Sequence, residues 1–120
     1  MKIAITTTGD DLNSEIDPRF GRARKFLIYD TETKEYKVID NSQNLNLPQG
    51  AGLQSAQNVA SEGAKAVITG HIGPKAFNVL TTAKISVYLT NLKTVKEAID
   101  AYIAGKLEPA KSFDKEGHWI

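Results

Sequence analysis

The stretch from Ala66 to Phe77 constrains the fold more than any other part of this sequence. Its first four residues, Ala-Val-Ile-Thr, predict a short strand that is apolar on both faces, as in strands buried between two layers. Gly70 and Gly73 then permit a tight turn. Pro74 suits the first position of a helix, where its missing N–H costs no intrahelical hydrogen bond. The sequence therefore predicts a central strand followed at once by a helix.

The turn between this strand and its helix is a candidate anion-binding site. The first N–H groups of a helix have no acceptor within the helix, and the helix dipole adds positive potential there. His71 lies in the turn between Gly70 and Gly73, and Lys75 lies in the first helical turn. A metal ligand and a cation would therefore flank a bound anion. A purely structural connection with a solvated His71 is the alternative.

A second cluster of candidate ligand contacts lies around Phe20 and Gly21. Arg19 and Arg22 flank this pair within a basic stretch. Each guanidinium presents a planar fork of donors that suits carboxylate or phosphate, so these arginines are candidate anion contacts. The alternative for the stretch is a solvated run of charge.

Thr7 and Thr8 are candidates for a different reason. They follow the first predicted strand, Lys2–Thr6, at its carboxyl end, where open α/β sheets bind ligands. Their hydroxyl groups could face a ligand in this polar loop. An ordinary turn is the alternative.

The rest of the chain predicts a hairpin and then alternating helices and strands. The other predicted strands are Lys25–Asp30, Glu35–Asn41, Ala66–Thr69 and Ile85–Leu89. Further helices are expected after Asn41–Gly52, which is predicted to be a loop, and after Thr94, which forms a capping box with Glu97. This order implies an α/β fold with a mixed five-stranded sheet and helices on its faces.

Apolar periodicity predicts which side chains are buried. The helix after the loop is expected to bury Leu53, Ala56, Val59 and Ala60. One core is expected between the sheet and the helices, formed by Ile3, Ile5, Val67, Ile68, Phe77, Leu80, Ile99 and Ile103.

Composition limits the classes of function. A chain of 120 residues is expected to form one domain, spanning residues 1–120. The formal net charge of +1 offers no general attraction to nucleic acid or membrane. Because the chain has no cysteine, it cannot form a disulfide or hold a metal through thiolates. We find no signal peptide or membrane-spanning run, so a cytoplasmic location is expected.

Three motifs together resemble the dinitrogenase iron-molybdenum cofactor biosynthesis family. They are Arg19-Phe-Gly-Arg-Ala23, Gln49-Gly-Ala-Gly52 and Thr69-Gly-His-Ile-Gly-Pro-Lys-Ala76. The resemblance implies a three-layer α/β domain with a ribonuclease H-like strand arrangement. It also implies a carrier of the iron-molybdenum cofactor or its iron-sulfur precursor, with cluster-assembly or acceptor proteins as partners.

One position departs from the family pattern. Cofactor-binding members often carry a histidine directly before the Phe-Gly pair, where this chain has Arg19, which is not an ordinary metal ligand. His71 is then the candidate metal ligand. A small-molecule or nucleotide binding module is the alternative function. A metal-dependent nuclease is disfavoured, because the first and central predicted strands carry no Asp or Glu.

Overall fold

A mixed sheet forms the middle layer of the protein in the computed structural model, which describes residues 1–42 and 50–111. Within these ranges the strands are β1 (Lys2–Thr7), β2 (Lys25–Asp30), β3 (Tyr36–Asp40), β4 (Ala64–Thr69) and β5 (Ser86–Leu89). The helices are α1 (Ala51–Ser61), α2 (Pro74–Thr82) and α3 (Val95–Ile103). Gln49, most of the predicted Asn41–Gly52 loop and the chain end from residue 112 lie outside the described residues.

The strand order of the five-stranded sheet is β3-β2-β1-β4-β5. β1 pairs with β2 in antiparallel fashion and with β4 in parallel fashion, and β4 and β5 are also parallel. β2 and β3 form the predicted antiparallel hairpin. The mixed sheet is confirmed, although its middle strand is β1 and not the predicted β4, which lies between β1 and the edge strand β5. The sheet brings the carboxyl ends of β1, β4 and β5 to one edge. The ribonuclease H-like label stays a prediction.

Alternation along the strands produces two cores, so the prediction of a single core is wrong. On one face Ala4 and Val67 pack with residues of α1 and α2. On the other face Ile5 and Ile68, which are partners in the β1–β4 register, pack with α3. Successive side chains of a strand point to opposite faces, which is why neighbouring residues serve different cores.

Three predicted burial sites are wrong at the helix surfaces, because Ala60 in α1 is exposed, as are Leu53 and Ile103. Ile103 is 57% exposed and Leu53 is 40% exposed, whereas Ala56 and Val59 of the same predicted face are fully buried. Ile103 is the last residue of α3. Leu53 lies in the first turn of α1 and lines a surface cavity.

Local signals fix the helix ends as predicted. The Thr94 hydroxyl accepts from the Glu97 N–H at 3.2 Å, and the Glu97 carboxylate accepts from the Thr94 N–H at 3.0 Å, which completes the capping box. Gly63 and Gly105 follow α1 and α3 with positive φ angles of 82° and 74°, as expected of glycine after a helix. No helix within the described ranges is long and apolar enough to cross a membrane.

Candidate functional site

Two of the predicted motifs form one backbone ladder at the carboxyl edge of the sheet. The His71 N–H donates to the Pro18 carbonyl at 2.7 Å, and the Phe20 N–H donates to the His71 carbonyl at 3.0 Å. Arg19 and His71 therefore lie side by side in a parallel bridge. The turn after β4 and the arginine-bearing segment form a single surface.

Gly70 is required by this close approach. A Cβ atom at residue 70 would lie 2.7 Å from the Pro18 carbonyl oxygen and 3.0 Å from its Cα. Real Cβ atoms essentially never approach backbone this closely, so a larger residue would push the two segments apart.

The third motif joins through a second glycine contact. A Cβ atom at Gly21 would lie 2.9 Å from both the N and the Cα atoms of Gly52, in the first turn of α1. Gly52 also lies close to α2, because a Cβ there would be 3.3 Å from the Cβ of Ala76. Glycine therefore lets the Phe-Gly segment and both helix starts pack against one another.

These contacts enclose a cavity of about 620 Å³ that we term the cradle. It is lined by Gly21, Arg22, Gly50–Leu53 and Gly73–Ala76. Arg22 and Lys75 are the ionisable residues among them, and both are cationic. Most of the remaining wall is glycine, alanine and proline, so backbone groups form much of its surface.

The first turns of α1 and α2 both line the cradle. The first hydrogen bonds of the two helices run from the Gln54 N–H to the Gly50 carbonyl and from the Phe77 N–H to the Gly73 carbonyl, each at 3.0 Å. The N–H groups before these donors have no acceptor within their helix. Among the described residues, no side chain caps either helix, and neither first turn carries an acid. Two helix dipoles and two cations therefore combine to make the cradle positive.

A smaller side groove of about 370 Å³ adjoins the cradle and shares Gly21, Arg22 and Gly73 with it. It is lined by Arg19–Arg22 and His71–Gly73. His71 also lines a third cavity, an outer groove of about 830 Å³ formed with Glu15, Ile16, Pro18, Gly70 and Leu89–Lys93. His71 thus lies between the side groove and the outer groove.

The structure brings most of the predicted contacts together. Arg19 and Phe20 line the side groove, although Phe20 is only 1% exposed and packs against Phe26 with ring centroids 5.4 Å apart. Lys75 lines the cradle, and Gly70 lines the outer groove.

Thr7 and Thr8 lie away from these three cavities. Thr7 is fully buried, and its hydroxyl oxygen accepts from the Gly9 N–H at 3.2 Å. Thr8 is exposed, and its hydroxyl donates to the Glu15 carbonyl at 3.1 Å. Both hydroxyl groups are therefore engaged in the local turn, and their contact with a ligand stays a prediction.

Asp17 holds the arginine-bearing segment from inside. Asp17 is buried, with only 6% of its surface exposed. One carboxylate oxygen accepts from the Arg19 N–H and the other from the Arg24 N–H, each at 3.2 Å. The Thr6 hydroxyl donates to the Asp17 carbonyl at 2.6 Å, which ties this segment to the end of β1.

The start of α1 is the part of the site that the sequence prediction missed. The sequence marks Gly50–Gly52 as part of a family motif at the start of a helix but predicts no ligand contact there, although Gly50–Leu53 line the cradle. The sequence does not show that α1 and α2 lie on the same face of the sheet with their amino ends adjacent. The Gly-Ala-Gly entry was the available signal, since small residues there leave the first turn open to a ligand.

The donor chemistry of this region fits a complete anion better than a bare metal ion. No group of three or more His, Asp or Glu side chains that could hold a metal occurs in residues 1–42 and 50–111. The sequence contains no cysteine. The cradle instead offers two cationic side chains and the backbone N–H groups of two helix starts, which stabilise anions.

Comparisons with known proteins place the chain in a family. A protein of Methanocaldococcus jannaschii described as uncharacterized is 38% identical over 111 residues, covering 90% of each chain. The apo form of the orange protein from Desulfovibrio gigas is 38% identical with a TM-score of 0.90, covering 94% of this chain and 95% of that one. A NifB-like protein from Thermotoga is 38% identical with a TM-score of 0.82, covering 93% and 95%. The family model described as dinitrogenase iron-molybdenum cofactor matches residues 1–105, so the chain belongs to the dinitrogenase iron-molybdenum cofactor family.

Proposed function

We propose that this protein is a noncovalent carrier or scaffold for an anionic metal cluster. The cargo is the iron-molybdenum cofactor, its iron-sulfur precursor or a related cluster. The observation that carries the proposal is that two helix N-termini, Arg22 and Lys75 line one cradle. Family membership supports the choice of cargo. The similarity to a protein solved in an apo form supports a binding role.

Electrostatics explains how such a cradle would hold its cargo. Each helix N-terminus carries the equivalent of about half a positive charge, and an anion placed there gains about 0.3–1 kcal/mol at an exposed site. The cations at Arg22 and Lys75 add to this field from the same cavity wall. Several weak contacts of this kind suit a carrier, because the cargo must also be released.

The absence of cysteine from the sequence shapes the proposal further. Proteins usually hold iron-sulfur clusters through Cys thiolates, and this chain has none. The cargo would therefore arrive already assembled and keep its own sulfide ligands. Within residues 1–42 and 50–111, we propose His71 as the imidazole that coordinates the cargo from the side groove, with Arg19 beside it.

The proposed binding role also implies where the protein acts and with which proteins it exchanges its cargo. The protein would act in the cytoplasm, without catalysis of its own, between the proteins that assemble the cluster and those that accept it. The family description and the orange-protein neighbour support a binding or scaffold protein.

The proposal is tested by anaerobic purification from the source organism, followed by elemental analysis for iron and molybdenum. A brown protein with either metal in stoichiometric amount is expected. An Arg22→Gln/Lys75→Gln double variant, purified in parallel, should lose most of this metal while keeping its circular dichroism spectrum. Equal metal content in both proteins would show that the cradle does not bind the cluster. A wild-type protein without metal would contradict the carrier role.

The same preparation tests the alternative of a nucleotide binding module. Phosphate groups also suit paired helix N-termini that follow glycine-rich turns, which is the feature that keeps this alternative open. A nucleotide binder would release an ultraviolet-absorbing compound on denaturation. A cluster carrier would instead release iron and sulfide.

A further inference from the structure

A buried polar network holds the backbone on both sides of Arg22. Asn41, just after β3, and Ser55, in α1, are both fully buried. The Asn41 side-chain amide donates to the Ala23 carbonyl at 2.9 Å. The Ser55 hydroxyl donates to the Gly21 carbonyl at 3.3 Å. The carbonyl groups of the two residues next to Arg22 thus both accept hydrogen bonds from side chains elsewhere in the fold.

The two side chains also contact each other. The Asn41 amide nitrogen lies 3.1 Å from the Ser55 hydroxyl oxygen, and the Asn58 side-chain amide donates to the Asn41 amide oxygen at 3.2 Å. The Asn41 backbone N–H donates to the Arg24 carbonyl at 2.8 Å. A network of this kind in the interior is rigid when its groups are satisfied, and it is costly when one partner is removed.

Ser55 connects this network to the cradle. It lies one helical turn after Ala51 in α1, the helix whose first N–H groups line the cradle. Gly21, whose carbonyl Ser55 holds, packs directly on Gly52 of that same first turn. Ser55 and Gly52 of α1 both contact Gly21. These two contacts fix the backbone next to Arg22 relative to the amino end of α1.

We infer that Asn41 and Ser55 are positioning residues for Arg22 in the anion site. This inference rests on the proposed function and adds to it the residues that hold the cation in place. Neither side chain lines the cradle or the side groove, so each acts through Arg22 and not through the ligand. Fixing the arginine before binding reduces the ordering that the ligand must otherwise induce.

The expected effect follows from the strength of one hydrogen bond. Removing the Ser55 hydroxyl frees the Gly21 carbonyl and loosens Arg22, so Ser55→Ala should weaken anion binding about 3- to 10-fold. Ser55→Thr keeps the hydroxyl and should restore most of the affinity. Ser61→Ala is the matched control, because this serine lies on the same helix and its hydroxyl donates to the Gln57 carbonyl.

The test is a double-mutant cycle with isolated iron-molybdenum cofactor as the probe. Wild type, Ser55→Ala, Arg22→Gln and the double variant are titrated anaerobically and followed by visible absorbance, at two salt concentrations. If Ser55 acts through Arg22, Ser55→Ala should lower affinity in the wild type but have no further effect in the Arg22→Gln background. Its salt dependence should also decrease toward that of Arg22→Gln. Circular dichroism confirms that each titrated variant is folded.

The outcomes separate this inference from the proposed function. Equal affinity of Ser55→Ala and wild type, or the same loss with and without Arg22, would overturn the positioning role while leaving the carrier role intact. Failure of the wild type itself to bind would overturn both. If Ser55→Ala does not fold, Ser55→Cys takes its place, because it retains a similar volume but is only a weak donor.

Discussion

The backbone N–H of His71 lies 2.7 Å from the carbonyl oxygen of Pro18 and donates a hydrogen bond to it. This bond joins the turn after β4 to the segment that carries Arg19 and Arg22. Residues from two distant parts of the sequence thereby share one surface at the carboxyl edge of the sheet. The integrity of the candidate site consequently depends on how closely these two backbones approach.

Gly70→Ala should destabilise the protein by about 1–3 kcal/mol, because the new Cβ would lie 2.7 Å from the Pro18 oxygen and must displace backbone. Gly73→Ala is the matched control, since a Cβ at Gly73 meets nothing within 4 Å. Urea denaturation of both variants measures the difference. Identical midpoints would mean that the two segments separate at no cost.

Ile68→Ala should cost about 2–5 kcal/mol, because removing a fully buried aliphatic side chain from the inner strand β4 leaves a cavity as well as losing transfer free energy. Ile103→Ala, at a position 57% exposed, should change the free energy of unfolding by less than about 0.5 kcal/mol. Chemical denaturation of the pair distinguishes core from surface. A small effect at Ile68 would show that its side chain does not contribute to a packed core.

The fold could be predicted from the sequence because its local signals agree with one another. Thr94, Glu97 and Gly105 mark the ends of α3 by capping chemistry alone, and Pro74 marks the start of α2. The division of Ile5 and Ala4 between two cores depends instead on a helix lying on each face. The chain order predicts helices on the faces of the sheet but not which face each helix covers, so it does not divide the apolar side chains between two cores.

Individual residues of the site could be predicted from the sequence, but the cavity that they line could not. Charge and glycine spacing identify Arg22, His71 and Lys75 as candidates. The contribution of Gly52 depends on α1 lying beside α2, which is a tertiary relationship. The hydrogen bonds that engage the Thr7 and Thr8 hydroxyls in the local turn are likewise invisible in sequence, because any threonine after a strand has the same pattern.

Arg19→Gln combined with Arg22→Gln should leave the circular dichroism spectrum intact while weakening binding of isolated iron-molybdenum cofactor about tenfold at low salt. The loss should be smaller at high salt, because counterions already screen exposed charges there. Lys65→Gln with Lys84→Gln removes the same charge near the opposite edge of the sheet and is the control. Equal affinity of the arginine variant at both salt concentrations would exclude these residues from the site.

Acid should weaken the capping box of α3. The Thr94 backbone N–H, which donates to the Glu97 carboxylate, holds the pKa of Glu97 below its ordinary value. A lowered folded-state pKa contributes stability above the unfolded-state value, near pH 4, that is lost as the pH falls through the folded-state pKa. Thr94→Ala should cost about 1 kcal/mol. It should raise the pKa of Glu97 only partway, because the Thr94 side chain also lowers this pKa but the backbone N–H of residue 94 remains in the variant. A carboxyl NMR titration of both proteins measures this, and an unchanged Glu97 curve would contradict the prediction.

His71→Ala should reduce retention of the metal cluster while the fold survives, if the imidazole coordinates the cargo from the side groove. The backbone bonds of residue 71 to Pro18 and Phe20 do not use the side chain, so the turn should persist in the variant. Anaerobic titration of wild type and variant with isolated iron-molybdenum cofactor, followed by visible absorbance, measures the loss. Identical curves would leave His71 without a role in binding.

The pH dependence of the same titration identifies how His71 acts. Protonation removes the nitrogen lone pair that a metal ligand needs, so binding through coordination should weaken as the pH falls. A histidine that acts only as a cationic donor should instead hold an anion more tightly at lower pH. Either change should disappear in His71→Ala, because the fold and the cations Arg22 and Lys75 are retained. A pH dependence that persists in the variant would assign the effect to the cargo itself.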